Sequence, residues 1–293
     1  MFQRLEGVDR NLGGGFQVRR LLPHAERRTV GPFVFLDHFG PLEITPAMNT
    51  DVRPHPHIGL ATVTFLLEGA MLHRDSLGYV QRIEPGAINL MKAGRGIVHS
   101  ERRPEDLRSS AYRAHGLQLW LGLPAALEES EPTFSHTPAD ALPAFRVQDA
   151  EIRLLIGAAL GRRSPVQTFS PTLYAALTLP AGGSLELPAL AEELGVYMID
   201  GDVQLDDVPL PPRQLAVADG SPSARLSAGA AGARLALIGG TRLDGPRHLS
   251  WNFVSSRPER LRQAAADWDA QRFGAVPGET EFIPLPEALR QRA

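Results

Sequence analysis

The sequence contains no cysteine, which excludes disulfides, thiolate zinc sites, cysteine-ligated iron–sulfur clusters and a cysteine nucleophile together. Lysine is nearly absent too: Lys92 stands alone, and the other cations are arginines scattered among acids. With 30 basic and 33 acidic residues the formal net charge is −3, so no global field draws the chain to nucleic acid or to an anionic membrane. A basic helix and a Cys/His finger are both missing, and direct DNA binding is not expected. No apolar run approaches the ~20 residues that span a bilayer, so no membrane partner is expected. The opening Met1-Phe2-Gln3-Arg4-Leu5-Glu6 lacks the hydrophobic region of a signal peptide. The expected compartment is the cytoplasm.

What is present reads as a β-rich globular protein. Hydrophobic residues make up 43% and charged residues 22% of 293, an ordinary balance that excludes wholesale disorder. The 28 glycines and 25 prolines suit short strands and frequent turns. Leu60 to Leu67 is rich in β-branched and aromatic residues and closes on Glu68-Gly69, the pattern of a strand running into a turn. Gly86 to Met91, Gly116 to Leu121 and Ile152 to Ile156 read the same way. Phe65-Leu66-Leu67-Glu68-Gly69 has an echo in Tyr197-Met198-Ile199-Asp200-Gly201, about 132 residues later. That offset is the size of a small β-domain. The expected architecture is all-β: two tandem jelly-roll barrels followed by a C-terminal α-helix. The expected blocks are 1–132, 133–245 and a tail at 246–293, with Pro124 to Pro143 as linker. In the tail, Ser256-Arg257-Pro258-Glu259 has the form of a capping box. Leu261, Ala265 and Trp268 follow at helical spacing and Gly274 is placed to stop the helix, predicting about four turns.

The chemistry is concentrated in histidine. Of nine histidines, six fall between residues 38 and 115 and none between 137 and 247. His55-Pro56-His57 puts two imidazoles on one face of an extended segment, and His99-Ser100-Glu101 repeats the geometry with an imidazole and a carboxylate. Two such pairs on neighbouring strands can converge on one cation and leave open positions for substrate or dioxygen. Nitrogen and oxygen donors without sulfur suit Fe(II), Mn, Ni, Cu or Zn, and spacing does not choose among them. His73-Arg74-Asp75 reads as pocket lining, as a support behind the ligands or as a surface turn. His38 reads as a structural hydrogen-bonding group. Gly94-Arg95-Gly96 reads as a tight turn that aims His99 inward, and Gly13-Gly14-Gly15 as a turn before a strand from Phe16 to Leu22.

Four stretches closely resemble the pirin family: Val30 to Pro41, His55 to Thr64, Leu72 to Gly78 and Ala93 to Glu101, with His115-Gly116-Leu117-Gln118-Leu119-Trp120 extending the match. The resemblance covers nearly all of 13–124, is patchy through 140–245 and resumes at His248 to Leu261. It implies a bicupin, two tandem cupin barrels with one iron in the N-terminal barrel, whose ligands fall on His55, His57, His99 and Glu101. Ile58 to Val63 contains no acid, so the carboxylate a cupin often places there would come from Glu101. Positions about 132 beyond His55 and His57 are Leu187 and Ala189, so the second barrel has no such ligands. The resemblance also implies an Fe(II)-dependent dioxygenase that opens the heterocycle of a flavonol such as quercetin. Its substrates would be a small aromatic molecule and dioxygen, and Glu101 would be the proton acceptor. It equally implies an iron-dependent, redox-responsive regulatory protein that binds a transcription factor or metabolic enzyme.

Overall fold

The computed structural model of the chain describes residues 1–12 and 16–290; the turn expected at Gly13-Gly14-Gly15 lies outside them. Strands dominate, and the expected ones form at Leu60–Glu68, Ile88–Lys92, Tyr112–Gly122 and Ala150–Ile156. Leu60–Glu68 is buried at every position but its last two. A strand covered on both faces reads in sequence as a continuous apolar run rather than an alternation.

Backbone contacts divide the chain into two compact units that are not consecutive blocks. One comprises 1–10, 19–38 and 137–242; the other comprises 11–18, 39–136 and 243–293. The arrangement therefore differs from blocks at 1–132, 133–245 and 246–293. Gln3–Glu6 pairs in antiparallel register with Gln214–Asp219, which takes the N-terminus to the later unit, a pairing without a local signal. Nor is 124–143 a bare linker, because Thr133–Thr137 forms a strand at the edge beside Ile88–Lys92.

In the unit containing 39–136, one sheet runs in the order Val52–His57, Ile97–Arg102, Met71–Asp75, Val80–Ile83. A second contains Ile88–Lys92, Leu60–Glu68 and Tyr112–Gly122 as neighbours. Antiparallel register sets His99 opposite His55 on one side and opposite Asp75 on the other. The register slips between His99 and Glu101, beside Pro54, which has no N–H for a regular ladder. The Gly94-Arg95-Gly96 turn forms as expected: the Gly96 N–H donates to the Ala93 carbonyl at 2.9 Å, and Ile97–Arg102 follows directly.

The tail helix spans Pro258–Asp269, with Pro258 in its first turn. The capping box does not form. Arg257 is the N-cap, with no side-chain cap bond, because the Ser256 hydroxyl and N–H both donate to Glu128. The helix also ends before Gly274: Ala270 caps it, and Gln271 takes the left-handed conformation, φ 54°. The expected face is the buried one. Ala265 and Trp268 join Ile58, Val98 and Phe253 in one apolar cluster, with Leu261 packed against it. Ile58 and Val98 each adjoin a histidine in sequence, so the helix backs the strands that carry His57 and His99.

The unit containing 137–242 is built on a nine-stranded sheet in which Glu193–Leu205 and Ala224–Gly240 are central neighbours. The sequence echo is structural. Leu60–Glu68 lies between Ile88–Lys92 and Tyr112–Gly122, and Glu193–Leu205 lies between Gln214–Asp219 and Ala224–Gly240. The echoed glycines share a left-handed backbone, φ +87° at Gly69 and +99° at Gly201. At each, an added Cβ would strike a carbonyl oxygen, that of Arg113 at 2.7 Å or Gly232 at 2.2 Å. His38 meets its expectation within this unit, 2.6 Å from the Tyr197 hydroxyl.

Candidate metal centre

Three of the four expected ligands converge. His55, His57 and His99 are buried and each offers a ring nitrogen within 4.8 Å of the other two. His57 Nε2 and His99 Nε2 stand 3.1 Å apart, and the His55 and His99 rings are centred 4.4 Å from one another. The far side of each ring is engaged. His55 Nδ1–H donates to the Arg53 carbonyl at 2.9 Å and His57 Nδ1–H to the Asn252 carbonyl at 3.0 Å. His99 Nδ1 faces His73 Nδ1 at 3.4 Å. Carbonyl partners at Nδ1 fix the tautomer that leaves Nε2 as a lone-pair donor.

Electrostatics hold the group in its metal-binding form. Burial lowers His55 to about 4 and pushes His57 and His99 well below the usual imidazole range. All three are neutral at pH 7, the state in which imidazole ligates. Two Nε2 lone pairs facing each other at 3.1 Å repel unless a proton or cation lies between them. Adjacent nitrogen ligands at ~2.1 Å from an octahedral ion stand about 3 Å apart, so the donor set fits a divalent metal.

Glu101 lies on the same face of its strand as His99 but is not one of the three converging groups. Its Oε1 accepts from Gln118 Nε2 at 2.8 Å, and Gln118 in turn accepts from Thr64 Oγ1 at 2.8 Å. Burial raises this carboxyl to about 7, opposed by the Gln118 bond. Glu101 also lines a small pocket with Phe16, Phe39, Leu66, Met71 and Tyr112 among its walls.

His73 and Asp75 turn inward and Arg74 outward. His73 and Asp75 are buried on Met71–Asp75, whereas Arg74 reaches the Pro277 carbonyl at 3.3 Å. The reading of this triplet as a surface turn therefore fails for the first and last members. Sequence reasoning missed three supports. Gln118 had a signal, an amide between Leu117 and Leu119 on an apolar strand. Phe134, whose ring stacks on His73 at 4.2 Å, lies in what read as linker. Asn252 acts through its backbone, which leaves no trace in side-chain chemistry.

Two β-sandwich units in one chain, one holding a buried group of ligating side chains, define a bicupin. The pirin family profile matches residues 15–121 and that of the pirin C-terminal cupin domain matches 174–274. A pirin-like protein of Caulobacter vibrioides is 43% identical over 94% of this chain and 96% of its own length. Human pirin is 32% identical over 89% of each chain. The crystal structure of a quercetin 2,3-dioxygenase from Acinetobacter baumannii superposes with a TM-score of 0.90 at 33% identity, over 97% of this chain and 95% of that one. The chain belongs to the pirin family.

Among the described residues, no helix is long and apolar enough to cross a membrane.

Proposed function

We propose that this protein is an Fe(II)-dependent dioxygenase that opens the heterocycle of a flavonol such as quercetin, with the cytoplasm as its compartment. The observation that carries the reading is the buried group of His55, His57 and His99, the last of which shares a strand with Glu101, a carboxyl that lines a pocket walled in part by Phe16, Phe39 and Tyr112. The likeness to a quercetin 2,3-dioxygenase structure supports it.

His55, His57 and His99 would hold the ion through Nε2, with Glu101 as the fourth ligand. When bound, the ion supplies Lewis acidity, which lowers the pKa of a substrate hydroxyl. Phe16, Phe39, Leu66, Met71 and Tyr112 line the pocket beside Glu101 and present apolar surface to a flavonol. Glu101 is the proton acceptor for the flavonol hydroxyl. Burial raises this carboxyl in the metal-free protein, and a carboxylate beside the substrate hydroxyl is placed to take its proton. Gln118, held by Thr64, fixes the carboxyl through Oε1.

Anaerobically Fe(II)-loaded protein should consume oxygen with quercetin, and a His99→Ala control should not. Glu101→Gln should bind quercetin yet turn over at least ~10²-fold slower, the scale of a lost acid–base group. Unchanged turnover removes Glu101 from the proton step. No uptake by loaded, folded wild type overturns the oxygenase. The iron-dependent regulator then leads, tested by partner capture with loaded and metal-free protein.

A further inference from the structure

The three histidines differ in what holds them. His55 and His57 give their Nδ1–H to backbone carbonyls, acceptors that cannot become donors. His99 faces a second imidazole, His73, whose Nδ1 is 3.4 Å away and can play either part. The next contact decides which. His73 Nε2 lies 2.9 Å from Asp75 Oδ2, and a carboxylate oxygen accepts, so Nε2 carries the proton and Nδ1 is left as an acceptor.

Asp75 is fixed in turn. It is fully buried, and its Oδ1 accepts the Leu77 N–H at 2.9 Å and the Tyr79 N–H at 3.1 Å. The Phe134 ring stacks on His73 at 4.2 Å with an interplanar angle of 11°, holding the imidazole in the plane of the chain of contacts.

We propose that Asp75 and His73 are positioning residues that set the tautomer of His99, placing its proton on Nδ1 and so keeping Nε2 available as a metal ligand. This rests on the reading that His55, His57 and His99 hold a metal. The hydrogen-bond direction runs from His99 Nδ1–H to His73 Nδ1, and from His73 Nε2–H to Asp75 Oδ2. One isosteric change reverses the line. In Asp75→Asn the Leu77 and Tyr79 amides still require an oxygen at Oδ1, so the new NH2 group faces His73. Its Nε2 must then accept, its Nδ1 becomes the donor, and His99 must accept at Nδ1. The His99 proton moves to Nε2, the atom 3.1 Å from His57 Nε2, and blocks the ligand position.

The test is a competition titration of Ni(II) and Fe(II) against a chelator for wild type, Asp75→Asn and His73→Phe. It is paired with 15N chemical shifts of the metal-free histidines. Asp75→Asn should bind both ions 10- to 100-fold more weakly, the usual cost of losing a group behind a ligand, and its His99 should carry the proton on Nε2. His73→Phe, which removes the acceptor without supplying a donor, should lose less. Wild-type affinity in folded Asp75→Asn overturns the proposal. Equal losses in the two variants, or a His99 proton on Nε2 in the metal-free wild type, also overturn it. The wild-type spectrum decides the matter even if Asp75→Asn fails to fold. Wild type that takes up neither ion overturns the metal reading itself, a failure distinct from a tautomer that is not as assigned.

Discussion

The two units use the same paired-strand frame for opposite ends. In the first, Val52–His57 pairs with Ile97–Arg102 so that His55 faces His99, with Glu101 two residues on. In the second, Ser184–Leu187 pairs with the start of Ala224–Gly240 so that Leu187 faces Ala224, with Leu226 two residues on. Leu187, Ala224 and Leu226 sit in one continuous aliphatic core, where the first unit has three imidazoles and a carboxyl. An interior can be closed with hydrocarbon or kept for chemistry. A buried imidazole needs a partner at Nδ1, so the second choice calls on Arg53, Asn252 and His73. The first choice needs only volume.

The comparison is broken most sharply by giving one unit the other's residues. His55→Leu combined with His99→Ala should abolish binding of Fe(II) or Ni(II), a fall of at least ~10²-fold for two lost ligands at about tenfold or more each. A fold preserved by near-UV circular dichroism, together with retained metal, would refute the assignment. Next in size is the reciprocal deletion. Leu226→Ala should cost about 2–5 kcal/mol of stability, the usual range for a buried Leu→Ala change, with metal affinity unchanged. Urea denaturation measures the first and chelator competition the second. A metal-affinity loss matching that at His55 would mean that the units are not functionally separate.

The smallest effect is one of pH, read at His55 and Glu101 of the first unit. His55 titrates at about 4 when folded and near the ordinary 6.5 when unfolded. The unfolded chain therefore takes up the proton first, and stability falls as pH drops from 6.5 toward 4. Glu101 acts in the opposite sense. Raised to about 7, it keeps its proton when folded while the unfolded chain has released it near 4.5. Stability therefore falls as pH rises from 4.5 toward 7, by up to about 3 kcal/mol. Metal-free Glu101→Gln should consequently be more stable than wild type at pH 7.5 and equal to it at pH 4, read as chemical-denaturation midpoints. An unchanged midpoint difference across that range would mean that the carboxyl is not raised.

The convergence of His55, His57 and His99 was legible because strand alternation is local: residues i and i+2 share a face whatever the tertiary fold, so the pairs 55/57 and 99/101 could be read directly, whereas Glu101 stands apart from the three-histidine group. The aliphatic filling of the second unit at Leu187 was legible on the strength of the echo between residues 65–69 and 197–201. What could not be read depends on distant contacts. The partner of His57 is a carbonyl 195 residues away. The Ser256 hydroxyl would cap its helix were Glu128 not there to capture it. Gln3–Glu6 joins the later unit through pairing with a strand beyond residue 213. Phe134 could not be connected with His73 without the fold that stacks them.

The central claim is that one unit binds a single metal through three histidines and the other binds none. Anomalous diffraction at the iron edge from an iron-loaded crystal tests it directly. The account predicts one peak, bounded by Nε2 of His55, His57 and His99, and no peak among Leu187, Ala224 and Leu226. No peak at the histidines, or one in the aliphatic unit, would contradict it.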